Sequence, residues 1–415
     1  MPRTGGFRGA ARRWATSIAR GAVLILLSAL IAAQPGAAAG VPPPDADPFY
    51  AAPADLADHP DGAVLASRPI ALFGLSLPVS AWQVQYRTND SADRPVAGMA
   101  TVMVPNLPWL GPGPRPLLSY QVAEDSLGVR CAPSFALRGG WQGGVNTLID
   151  SPFMAAALLR GWAVVTSDYE GPDSRFLDGV NSGRGVLDGI RAARAFGQGA
   201  VGPASPLGAY GYSGGAFATL WAAELQPEYA PDVRFAGLSA GGVPADWTAV
   251  ARGVQGTIQA GLAVLIVHAI ARNDPSAGIV ELLNDRGRAM LVTDADACGE
   301  DLVLKYGGVR VDDFAAVPDL LSHPVFRAAT DAQELGASAP LDPMYLYHST
   351  TDDVIPVAGF TGLVDRYCAL GADLSFRYSA LPGHNPAAIG EVSGAFDFLS
   401  DRFAGQPVAP GCHTR

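Results

Sequence analysis

The sequence predicts an α/β protein with a mostly parallel sheet flanked by helices and a mainly helical insertion before the last strands. Three observations predict it. Short apolar strand candidates recur with helical stretches between them: "PLLSYQV" (116–122), "GWAVVTSD" (161–168), "PLGAYGY" (206–212), "VRFAGLSA" (233–240), "MYLYHST" (344–350) and "LSFRYSAL" (374–381). Such alternation builds parallel sheets covered by helices. Within "GRGVLDGIRAARAFG", Val186, Ile190 and Ala193 share one helical face. More than a hundred residues then separate "GLSAGG" from "MYLYHST" and read mainly as helix. An insertion of that size marks a cap domain.

Composition bounds the rest. The 415 residues are 49% apolar and 16% charged, which fits a large core and a sparsely charged surface. Net charge is −11; five arginines and no acids fall in residues 1–39, so the remainder carries about −16. So acidic a chain is a poor electrostatic partner for nucleic acid or anionic lipid.

In chain order, Arg3, Arg8, Arg12, Arg13 and Arg20 form a basic region before the twelve-residue apolar core "AVLILLSALIAA". "PGAAAG" then offers a cleavage site after Ala39, so residues 1–39 read as a secretory signal peptide and 40–415 as the exported domain. The apolar core is short for a membrane span. Pro-rich "VPPPDADPFYAAPADL" opens an extended N-terminal arm (40–79), its prolines excluding helix. "AWQVQYRTND" and "PVAGMATVMVP" flank the turn signal Asn89-Asp90-Ser91 and predict an antiparallel hairpin. Inside the insertion, "WTAVARGVQGTIQAGLAVLIVHAIARND", "AGIVELLNDRGRAM" and "ATDAQELG" read as helix. The run Ala260 to Ala271 is apolar nearly all round and should be buried.

Cysteines 131, 298, 368 and 412 all follow the signal, an even number in an oxidising setting, and three pairings are open to them. None has C-x-x-C spacing, so structural bridges are expected rather than zinc. No metal cluster, phosphate-binding glycine loop or cofactor motif stands out.

The chemistry gathers around Gly211-Tyr212-Ser213-Gly214-Gly215. It fits G-x-S-x-G, the nucleophile elbow, in which a serine sits on a strained strand-to-helix turn. Glycines on both sides let neighbouring backbone pass. The helix-forming "GGAFATLWAAELQ" follows at once, with amides free to face a developing oxyanion. "GLSAG" around Ser239 fits the same pattern, but Gly242, Val243 and Pro244 follow it and leave no ready helix. Ser213 is therefore the candidate nucleophile.

A serine hydroxyl needs a base, and the base needs an orienting acid. In the α/β-hydrolase arrangement these follow in the order Ser, Asp or Glu, His. Of six histidines, His384 alone follows a late strand on a small-residue loop, "LPGHNPA". The preceding "YHSTTDDVIPV" supplies Asp352 and Asp353. Many α/β hydrolases carry a histidine, three variable residues and the acid, with Val-Pro close behind. Aligning His348 and Pro356 on that pattern favours Asp352.

With these residues placed, the chain resembles the secretory lipase family of α/β hydrolases. The resemblance runs from "DPFY" and "GAVLASR" through "SYQVAEDS", "CAPS", "VVTSDYEGP", "LDGIRAAR", "GYSGG" and "AGGVPAD" to the acid and histidine segments. It implies Ser213, Asp352 and His384 as triad and the backbone N–H groups of Asp125 and Gly214 as oxyanion hole. It also implies bridges Cys131–Cys298 and Cys368–Cys412, a cap near residues 245–335 shaping the acyl site, and cleavage of triacylglycerols and simpler esters with no metal or cofactor. The very apolar cap helix departs from the family and leaves chain-length preference open. The expectation is a secreted ester hydrolase acting on lipid or other small esters, with no nucleic acid and no stable protein partner implied. A short-chain carboxylesterase, an acyltransferase and a non-catalytic binding protein on the same fold are the rivals.

Overall fold

The computed structural model describes residues 40–140 and 144–415; the export signal expected at 1–39 lies outside them. Strands β1 (Val64–Ile70), β2 (Val79–Asn89), β3 (Pro95–Pro105), β4 (Leu117–Gln121), β5 (Ala163–Ser167), β6 (Leu207–Tyr212), β7 (Gly237–Gly241), β8 (Met344–Ser349), β9 (Leu374–Ser379) and β10 (Cys412–Thr414) form one sheet. Their order is β1-β2-β3-β5-β4-β6-β7-β8-β9-β10. From β5 to β10 across the sheet every pairing is parallel, and β1, β2 and β3 join antiparallel at one side.

Strands β4 to β8 are buried at every residue, as a sheet covered on both faces requires. Side chains alternate between two cores. Leu207 and Ala209 of β6 face the helices Gly179–Phe196 and Gly214–Tyr229, while Tyr210 and Tyr212 join Met154, Phe396 and Leu399 on the other side. Helix Gly179–Phe196 starts where Asp178 accepts from the Asn181 N–H and stops at Gly197 in left-handed backbone (φ 68°). Its Val186, Ile190 and Ala193 are buried, as their spacing predicts.

The hairpin lies at β2 and β3, in register from Val79↔Pro105 to Asn89↔Pro95. Elsewhere the elements differ in detail from expectation. The Pro-rich arm is not simply extended: Pro44–Ala46 and Pro48–Tyr50 are 3-10 turns with proline at the first position, where its missing N–H costs nothing. The arm also contributes β1, an edge strand tolerant of Pro69. "VRFAGLSA" becomes strand only from Gly237, because Val233 closes a turn onto Ala230 O. β10 is three residues long, too short to signal itself.

Between β7 and β8 lie helices Trp247–Val254, Gly261–Asn273, Asp285–Thr293, Gly299–Tyr306 and Pro324–Asp331. The long first run expected there is broken at Gly256 (φ 78°), and "ATDAQELG" is helical only to Asp331. In Gly261–Asn273, Ala263 to Ala271 are all buried, including His268. This insertion is stitched to the loop after β4. Cys131 is bridged to Cys298, Leu127 N–H donates to Ala297 O (2.8 Å), and Ser126 pairs with Cys298 as an isolated bridge. Cys368 is bridged to Cys412 at the far edge.

The Cys131–Cys298 bridge closes 167 residues of sequence. A crosslink of such span restricts the unfolded chain strongly, so Cys131→Ser with Cys298→Ser should cost about 2–4 kcal/mol of stability. The check is the denaturant midpoint of the double variant against the parent; an unmoved midpoint would refute it.

Candidate active site

β6 ends at Tyr212 and helix Gly214–Tyr229 begins one residue later, so Ser213 alone must reverse the chain. It does so at φ 56°, ψ −126°, a conformation costing a non-glycine residue about 1–3 kcal/mol. Its N–H donates to Gly241 O (3.0 Å), and its own carbonyl accepts from Ala216 N–H (2.9 Å), which hold the turn. The flanking glycines supply space rather than flexibility. A Cβ at Gly211 would strike Gly215 O, one at Gly215 would strike Gln121 O, and one at Gly214 would strike the Asp125 carboxylate. The helix therefore lies directly against the end of β4.

Asp352 and His384 are in direct contact. His384 Nδ1 lies 2.8 Å from Asp352 Oδ2. Asp352 Oδ1 accepts from the amides of Val354 (2.9 Å) and Ile355 (2.8 Å). Burial alone would raise the Asp352 carboxyl, but the His384 contact and these amides outweigh it and hold it below the usual range. Asp353 does different work: its Oδ1 accepts the His384 backbone N–H at 2.8 Å. One aspartate meets the imidazole and its neighbour meets the peptide. Ser213 reaches this pair through shared neighbours. Tyr212 OH donates to His384 O (2.7 Å), the two rings lie 4.9 Å apart, and Gly242, beside Ser213's acceptor, approaches so closely that a Cβ would sit 3.0 Å from His384 Cε1.

His384 is not on a loop, as expected, but is the first residue of helix His384–Phe403, entered through Gly383 at φ 81°. The proline at 386 is compatible with a first helical turn, where no intrahelical partner is lost. Ser239 is buried in β7 and donates to Tyr345 O (2.9 Å), far from any such role. His348 is buried against Phe360; its Nε2 donates to Ile355 O (2.9 Å), tying down the turn whose amides hold Asp352.

Asp125 occupies left-handed backbone (φ 46°) on the loop after β4, facing Gly214. Among the described residues its amide meets no acceptor, and the Gly214 amide stands in a helical first turn where none is available within the helix. Both line a cavity of about 30 Å³ with Ser213, roofed by Pro244, Trp247, Val250, Leu262 and Ile266 of the insertion. That is room for about one water. Donors, serine and an acid-held imidazole suit an acyl transfer through a tetrahedral oxyanion.

Sequence reasoning missed the ground beneath this loop. Glu124, Asp168 and Glu170 are buried together, with no salt-bridge partner among the described residues. Glu124 accepts from Tyr169 N–H (2.7 Å), Glu170 from Ser126 Oγ (2.7 Å) and Asp168 from Ser134 N–H (2.8 Å). Burial, and for Glu124 the neighbouring Glu170 and Asp168, pushes all three carboxyls up. Burial likewise raises Asp125 to about 6 and Asp150 to about 8. The acids in "AEDS" and "SDYEGP" on adjacent strand ends were the available signal.

Residues 139–411 match the family model described as secretory lipase. A "Probable inactive lipase" of Mycobacterium tuberculosis is 37% identical over 88% of this chain and 83% of that protein. Lipase A of Arthroderma benhamiae is 31% identical over 90% and 82%. Among solved structures, Candida antarctica lipase A in its closed state superposes with a TM-score of 0.82 at 30% identity, covering 90% of this chain and 89% of that one.

The buried acids set a pH dependence. Their folded pKa values lie above the unfolded ones near 4, so across the gap the folded state holds extra protons and stability falls as pH rises. Their contribution is full below about pH 4 and is lost through the window reaching about 8, the Asp150 value. Asp47 acts oppositely. Burial would raise it, but Arg68, the Phe49 amide and Arg138 hold it at about 2, so its contribution is lost only in strong acid. Thermal midpoints should therefore fall from pH 5 to pH 8.5, with a shallower slope in Glu170→Gln. Equal slopes in both proteins would remove the cluster as the cause.

Proposed function

The chain belongs to the secretory lipase family, and on that premise we propose that it is an exported serine ester hydrolase, a triacylglycerol lipase working through an acyl-enzyme. The observation that carries the reading is the 2.8 Å contact of His384 Nδ1 with Asp352, set beside a serine in strained elbow geometry. With Nδ1 committed to the carboxylate, Nε2 is left to take the proton of Ser213 Oγ as it attacks the ester carbonyl. The amides of Asp125 and Gly214 receive the oxyanion, His384 returns the proton to the leaving alcohol, and an activated water then releases the acid. "Probable inactive" describes the mycobacterial relative; in this chain a complete set of candidates argues for activity.

Ligand sites span roughly 300–1,000 Å³. A cavity of 30 Å³ admits no acylglycerol, so the helices near 245–335 act as a cap that must move aside. The export signal read at 1–39 and the family's description support secretion. The lipase relatives support hydrolysis rather than transfer to an alcohol, and an added acceptor alcohol tests it by product analysis.

Ser213→Ala should lower turnover by up to about 10⁶ and Asp352→Asn by about 10⁴. Asp353→Asn, which touches only the peptide, should lose far less, and Ser239→Ala should lose nothing. The assay is fatty-acid release from a soluble short ester and an emulsified long-chain triacylglycerol. Activity on both supports the lipase, activity on the short ester alone makes it an esterase, and an undiminished Ser213→Ala variant overturns the triad.

A further inference from the structure

A second apolar site lies at the opposite end of the sheet. Ser213 follows the carboxyl end of β6, whereas this groove is bounded by the start of β2, the end of β3, the loop 107–111 and the exit of helix Val145–Leu159, just before β5 begins. It holds about 540 Å³, within the range of small-molecule sites. Leu72, Phe73, Met103, Leu137, Met154 and Leu158 form its interior. Leu107 and Leu110 on its rim are 75% and 91% exposed, in a chain whose surface is otherwise acidic. Adjoining exposed apolar residues mark interaction sites when they rim a concave surface.

Its polar features are few and of one sign. Among the described residues no carboxylate lines it, and its one ionised lining residue is Arg160. That guanidinium donates to Ala156 O (3.2 Å), lies 5.3 Å from the Phe396 ring and 5.8 Å from the Trp162 ring, and is 3.6 Å from Asp397, whose side chain is mostly exposed. Partial burial makes the cation harder to keep, which favours an added anion. Next to it the Trp109 ring rests on Gly161, and the indole N–H is buried without an acceptor among the described residues.

We propose that this groove binds a free long-chain fatty acid, its tail among the apolar interior and its carboxylate between the Arg160 guanidinium and the Trp109 indole N–H. An apolar trough closed by a cation and an orphan donor matches an anionic single-chain amphiphile better than a neutral lipid. The hydrolase reading supplies only the source of the ligand; the site stands without it.

The experiment uses the mature Ser213→Ala protein, so that turnover plays no part. Dibrominated stearic acid, a contact quencher of indole fluorescence, is titrated below its micellar concentration. Saturable quenching is expected, largely lost in Trp109→Phe, and blocked in Ala155→Phe and Leu159→Asp, two sites at the groove with exposed or half-exposed side chains. Arg160→Leu should weaken binding about tenfold or more for the acid but not for the matching alcohol. Absence of saturable quenching overturns the proposal, as does quenching lost only in Trp247→Phe, which would place the ligand in the catalytic cavity. Equal affinity for acid and alcohol overturns the head-group assignment. Binding in a protein whose wild type fails the lipase assay would leave this site standing, and lipase activity without binding would sink it alone.

Discussion

The close approach of helix Gly214–Tyr229 to the end of β4 is the constraint on which the site depends. Three positions that tolerate no Cβ let that helix start directly against Gln121 and Asp125, and the turn between strand and helix shrinks to a single residue. Ser213 absorbs the whole reversal in its own backbone. The same approach sets the amide of Gly214 facing the loop that carries Asp125. Loosen the contact and the serine would relax, the helix would withdraw, and the two candidate oxyanion donors would separate.

That loop is held from below and from the side. Below it, carboxyls rather than apolar side chains occupy the interior, each taking a hydrogen bond from a neighbouring loop: Glu124 from Tyr169, Glu170 from Ser126, Asp168 from Ser134. From the side, the 131–298 bridge and the Leu127–Ala297 bond fasten it to the insertion. Burial pushes these carboxyls up, and each accepts a hydrogen bond from a neighbouring loop, which a hydrocarbon core could not do. The arrangement trades stability at alkaline pH for a fixed loop.

The alternation of strands and helices was legible because the central strands are buried on both faces and read as short, mostly apolar runs. The spacing of Val186, Ile190 and Ala193 told which face of their helix is inward. The elbow, too, is a local pattern, and Ser239 was separable from Ser213 because helix initiation depends on the residues that follow. What stayed hidden depends on distant partners. β1 and β10 are short or edge strands whose identity comes from their neighbours β2 and β9. The roles of Asp352 and Asp353 differ only by which atom of His384 each reaches, a distinction of ångströms between adjacent, chemically identical residues. The acid cluster joins two segments more than forty residues apart, and each alone reads as an ordinary polar loop.

The insertion shows the same division between pattern and placement. Its apolar helix Gly261–Asn273 announces burial in the sequence, yet burial could mean a cap core or a channel wall. In the structure the helix does both kinds of packing, since Ala263 to Ala271 are buried while Leu262 and Ile266 form part of the roof over Ser213. The roof is built mainly from the inserted helices, with Trp247 packed between Phe176 and Phe217, so on the proposed reading an opening would shift helix–helix contacts. The bridge Cys131–Cys298 ties one side of the insertion to the segment that follows Asp125. On the proposed lipase reading, an opening on the Trp247–Ile266 side would leave the two candidate oxyanion donors, Asp125 and Gly214, in register.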